Sequence, residues 1–136
     1  MAVTADQKIE RSDADKGWMP VAASKTLYQG TLAFVASGYA SDDDNGGANA
    51  FAGIVVQKAD NASGSAGGEE VELYLRGKFK LSFPGVTLTQ ADVGATAYAT
   101  DNYTCTDVAT SATAIGKIVE FIDANTAMVQ IDPFAT

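Results

Sequence analysis

The stretch Glu69–Phe83, EEVELYLRGKFKLSF, decides how the rest of the chain is read. Its odd positions are Val71, Leu73, Leu75, Gly77, Phe79, Leu81 and Phe83; its even positions are Glu70, Glu72, Tyr74, Arg76, Lys78, Lys80 and Ser82. Successive side chains of a strand point to opposite faces, so this is one apolar and one polar face without a slip of parity. A helix would scatter the same apolar residues around its circumference. The polar face is itself sorted, acids first and bases after. At roughly 3.3 Å per residue a straight strand of this length would run about 40–50 Å, long for a globular protein. Gly77 is the expected place for a bend or bulge. With Gly77 as a hinge, the ribbon serves as two consecutive strands, or as one that bends from one sheet or barrel wall into the next.

Outward from the ribbon, turn signals recur about every ten residues. On the N-terminal side, Asp60–Gly68 (DNASGSAGG) reads as a flexible loop, Phe51–Lys58 (FAGIVVQK) as a compact strand, and Gly38–Asn49 as a loop by composition. Val21–Ser37 holds two short strands around Tyr28-Gln29-Gly30, the second over Thr31–Val35. On the C-terminal side, Pro84-Gly85 marks a turn and Thr87–Asp92 a single helical turn. Ala95–Thr100 and Tyr103–Val108 form a hairpin about a two-residue Asp101-Asn102 turn. Ile115–Ile122 and Thr126–Ile131 form another about Asp123–Asn125. Ile115–Ile122 is apolar on both parities, so one face belongs in the core and the other against a loop or a subunit. About eight short strands without a long helix predict an all-β fold: a single-domain antiparallel β-sandwich or small barrel, jelly-roll-like. Residues 1–17 lack a sustained period and read as an extended N-terminal arm, leaving 18–136 as the β-domain.

Composition narrows the function classes. The chain has 136 residues, 46% of them hydrophobic, enough for one domain with a real core. Nine Lys and Arg stand against 17 Asp and Glu, a formal charge of −8. A free nucleic-acid binder needs the opposite balance, and an anionic membrane is disfavoured for the same reason. Histidine is absent and Cys105 is the single cysteine. That excludes an internal disulfide, Ser-His-Asp and Cys-His machinery, and the usual zinc sites. No phosphate-binding glycine loop is present. The acids Asp42-Asp43-Asp44 are consecutive rather than alternating, so they read as a solvated loop tip rather than a calcium loop. Glu70 and Glu72 share one strand face and do not oppose each other across a pocket, as glycoside hydrolysis needs. No catalytic, cofactor-binding or metal-ligating residue is assigned, and no enzyme activity is expected. Residues 1–20 lack the apolar segment of a secretory signal, which leads to the expectation of a protein that acts in the cytoplasm or in something assembled there.

Several blocks together resemble a known family: Phe51-Ala-Gly-Ile-Val-Val, Leu75-Arg-Gly-Lys-Phe, Ala91-Asp-Val-Gly, Tyr98-Ala-Thr-Asp-Asn, Ile115-Gly-Lys-Ile-Val and Met128-Val-Gln-Ile-Asp. From about Gly30 to Asp132 the pattern is similar to the decoration, or cement, proteins of tailed-phage heads. The resemblance implies an all-β structural protein of the virion, made in the host cytoplasm, that sits on the outer capsid surface. Its implied partners are the major capsid protein and further copies of itself, as a dimer or trimer at a symmetry axis. It implies no cofactor. Candidate contacts are Ile9 and Arg11 of the arm, Trp18 and Met19 at its end, the ribbon bases Arg76, Lys78 and Lys80, and Phe134 of the C-terminal tail. The alternatives are a tail- or fibre-associated β-module, or a calcium- or carbohydrate-binding sandwich centred on Asp42–Asn45.

Overall fold

A computed structural model describes residues 5, 6 and 15–134. Its strands are β1 (Lys16–Pro20), β2 (Lys25–Leu27), β3 (Leu32–Ala36), β4 (Tyr39–Ser41), β5 (Ala50–Val55), β6 (Ala59–Asn61), β7 (Glu70–Tyr74), β8 (Lys78–Ser82), β9 (Thr96–Ala99), β10 (Cys105–Thr106), β11 (Thr113–Asp123) and β12 (Thr126–Ile131). One sheet has the order β1-β7-β5-β3-β4, a second has β10-β9-β11-β12-β8, and β2 and β6 form a small third sheet. Every strand pairing is antiparallel. The expected all-β sandwich is what forms. The strands sort by sequence, so the chain crosses between the large sheets once, where a jelly roll would cross repeatedly. Single bridges, Val21 to Ala40 and Ser82 to Thr104, draw the edges of each large sheet together without closing a barrel.

The crossing is the ribbon. It breaks between Tyr74 and Lys78, with β7 in the first sheet and β8 in the second. Gly77 sits there at φ +124°, a conformation that strains a side-chain-bearing residue, and a Cβ would lie 3.3 Å from the Phe79 ring. The odd parity therefore serves two cores. Val71 and Leu73 join Val21, Leu27, Ala33 and Ala52 in a core between the first sheet and the β2–β6 pair. Phe83 joins Phe34, Phe51, Ile115 and Ile118 in the main core between the large sheets, with Phe79 and Leu81 against it. Tyr74, from the polar parity, also packs on the main core, its ring 5.4 Å from that of Phe79. The reason is geometric: the first sheet is covered on both faces, so both parities of its strands are useful. β5 shows the same, with Phe51–Val55 buried throughout.

The structure differs from the sequence reading at short elements. β1 begins inside the predicted arm, so Lys16 and Gly17 belong to the sheet; Ile9 and Arg11 lie outside the described residues. β4 and β6 lie in segments read as loops. β6 is held by Asn61, whose buried amide donates to the carbonyls of Val21, Ala22 and Ser65. The Asp101 hairpin has a three-residue loop, closed by Thr100 N–H donating to the Thr104 carbonyl at 3.0 Å. The carboxylate of Asp101 accepts from Tyr103 and Thr104 N–H, which fixes the longer turn. The helical turn falls at Gln90–Asp92, where Thr89 N–H donates to the Asp92 carboxylate at 2.7 Å.

Candidate interaction surface

β1 pairs with β7 so that Leu75 N–H donates to the Asp15 carbonyl and Val21 N–H to the Glu69 carbonyl. Side chains alternate between those points. Met19, opposite Val71, packs on the outer core. Trp18, opposite Glu72, points to the other face and is 66% exposed. The two residues that the sequence paired as contacts therefore part: one anchors the strand, the other is presented. Pro20 closes the strand, and its missing N–H belongs on an edge such as this one.

Of the ribbon bases, Lys78 and Lys80 project from β8 opposite to Phe79 and Leu81, onto the outer face of the second sheet. Lys117 of β11 shares that face, across from Gln130, and donates to the Thr96 hydroxyl at 2.7 Å. Lys78 reaches Glu120 at 3.5 Å. Arg76 lies at the bend, 2.8 Å from Asp15. Both pairs are well exposed, so they orient side chains more than they stabilise the fold. Arg76 and Lys117 border one shallow depression of about 530 Å³ with Gln130 and Asp132. The structure thus gathers four of the protein's nine bases on and beside one face, three of which the sequence reading named. Phe134 is 55% exposed after β12 and its N–H donates to the Phe51 carbonyl.

Other apolar groups are exposed outside these candidate contacts. Tyr103 is 66% exposed because the Asp101 turn holds its backbone outward. Tyr28 is exposed on the Tyr28–Thr31 turn, with Lys58 Nζ 5.3 Å from its ring centre. Phe121 and Ile122 are exposed near the β11–β12 hairpin tip, where two register shifts twist the strand. The double apolar parity of Ile115–Ile122 is their signal: Val119 is half-buried beside Leu75 and Arg76, whereas Phe121 and Ile122 stand exposed.

Asp44 corrects the reading of Asp42–Asn45 as a solvated tip. It is 7% exposed, and one carboxylate oxygen has no partner. Burial chiefly, and then the charge of Asp43, raises its pKa above the ordinary value of 3.8. Asp42 meets Lys25 at 3.1 Å, as an ion pair rather than a directed hydrogen bond. Among the described residues no group of three or more His, Cys, Asp or Glu is arranged to hold a metal ion. Cys105 is buried, and desolvation first, with the nearby Asp101 charge, pushes its thiol up to about 12. A thiol so placed stays protonated and unreactive near neutrality.

Comparison with family models, with curated proteins and with solved structures found no match.

Proposed function

We propose that this chain is a structural virion protein of a tailed phage, a decoration or cement protein that binds the outer surface of the assembled capsid and stabilises it by bridging major capsid subunits. The observation that carries the reading is Trp18: the single tryptophan stands 66% exposed on an edge strand whose next residue is anchored in a core. A large amphipathic ring presented from a rigid strand is suited to a partner surface. Arg76, Lys78, Lys80 and Lys117 give an otherwise acidic protein one face that tolerates an acidic neighbour. Many weak contacts repeated over a shell hold it through multivalency, so no single deep pocket is needed. Copies would associate as dimers or trimers at a symmetry axis, with Ile9 and Arg11 reaching further subunits.

Cosedimentation tests the proposal and separates it from a tail or fibre module. Purified chain is mixed with empty heads and, in parallel, with tails. Binding to heads and not tails is expected, with Trp18→Ala weakening it at an unchanged melting temperature. Failure to pellet with heads, or equal pelleting with tails, rejects the capsid role.

A further inference from the structure

One side of the sandwich stands open. β7 pairs with β5 as far as Tyr74, and the ribbon then turns away into β8, so β5 and β8 diverge. Two adjoining hollows of about 510 and 190 Å³ occupy the gap, and both touch Gln29, Gly30, Lys80 and Leu81. The floor is apolar, from Leu32, Ile54 and Phe79; Tyr103 stands in the larger hollow and Tyr74 in the smaller.

From Lys78 to Leu81 the wall formed by β8 is an unpaired strand edge. Gly77 accepts from Ile131 N–H, and Phe83 N–H donates to Asn125, with Phe79 opposite Val129 and Leu81 opposite Ala127 between them. In an antiparallel ladder hydrogen-bonded pairs alternate, so the odd residues of β8 bond to β12 and the even ones face away. Ser82 meets Thr104 there. The N–H and C=O of Lys78 and Lys80 have no backbone partner among the described residues.

We propose that this slot receives an extended acidic segment of a partner protein, which adds as a strand to the free edge of β8. Main-chain hydrogen bonds to Lys78 and Lys80 supply the attachment. Side chains of one parity would enter the apolar floor beside Phe79 and Leu81. Those of the other parity would lie beside the Lys78 and Lys80 side chains on the outer face, where carboxylates complete cross-strand pairs. The same lysines would repel each other across two β8 edges, which disfavours edge-to-edge pairing of copies and favours an acidic strand. Two acids already lie near these lysines: Glu120 meets Lys78 in an exposed pair at 3.5 Å, and Asp123, held by Asn125 N–H at 2.9 Å, feels the Lys80 charge. The inference is independent of whether the partner is a capsid subunit.

The test uses the full ¹⁵N-labelled chain and a blocked peptide of alternating Glu and Val. The expected result is saturable shifts and slowed exchange at the Lys78 and Lys80 amides. A Lys-Val peptide should not bind, and of two peptides N-methylated at alternate residues in opposite phases, only one should. Lys80→Glu should weaken binding roughly tenfold, with its melting temperature recorded as a check on folding. Unperturbed Lys78 and Lys80 amides, equal binding of the lysine peptide, or equal binding of both methylated phases would each overturn the proposal.

Discussion

Asp44 and Gly53 show how single residues carry opposite kinds of cost. Asp44 is an ionisable group in a site that favours its neutral form. Its folded-state pKa lies above the unfolded value, so ionisation on going to neutral pH destabilises the fold, and the penalty disappears as pH falls below the unfolded value. Asp44→Asn removes the charge. Its stability relative to the parent is therefore expected to improve as pH rises from below the unfolded pKa through the raised folded one, and to level off above it, as read by denaturant melts from about pH 3 to about pH 7. An advantage that is flat with pH, or that grows toward acid, contradicts the assignment. Asp60 and Asp123 run the other way: their pKa values are lowered, first by the N–H of Ala62 and of Asn125 respectively. Those groups contribute stability above the unfolded pKa and lose it in acid. Gly53 has φ +146°, and a Cβ there would meet the Tyr74 carbonyl oxygen at 2.5 Å. Gly53→Ala strains β5 and forces it from β7, with an expected loss of about 1–3 kcal/mol in urea melts. An unchanged midpoint would mean that the sheet yields locally.

At the scale of elements, alternation made the long strands legible and left the short ones hidden. β7, β8, β11 and β12 carry enough residues for a period of two to stand out. β4 and β6 have three residues each, fewer than a period can mark, and they are fixed by distant groups such as the Asn61 amide. β1 was masked by its composition: Lys16 and Gly17 look like the polar segment before them, and only their pairing with Tyr74 and Leu73 makes them strand. The candidate surface was legible in its charges, because Arg76, Lys78 and Lys80 alternate with core residues and must face outward. The exposure of Tyr28 and Tyr103 was not, since an aromatic beside a turn reads equally well as core. The burial of Asp44 ran against composition altogether, because three consecutive acids ordinarily mark solvent.

For the whole molecule, the single crossing at Arg76-Gly77 has a consequence for the order of events in synthesis. Every member of the outer core, from Val21 to Leu73, lies before that point, whereas the main core draws on both halves of the chain. All residues of one apolar cluster are thus synthesised before the second sheet, and the expected order is that this cluster folds first and offers its surface to the later half. Two fragments cut between Arg76 and Gly77 should reassociate when mixed, with protection of the Val71 and Leu73 amides detectable in the first fragment alone. Protection that appears only after mixing would show that the halves depend on each other from the start. The glycine that turns one ribbon over thereby also divides the gene product into an early template and a late complement.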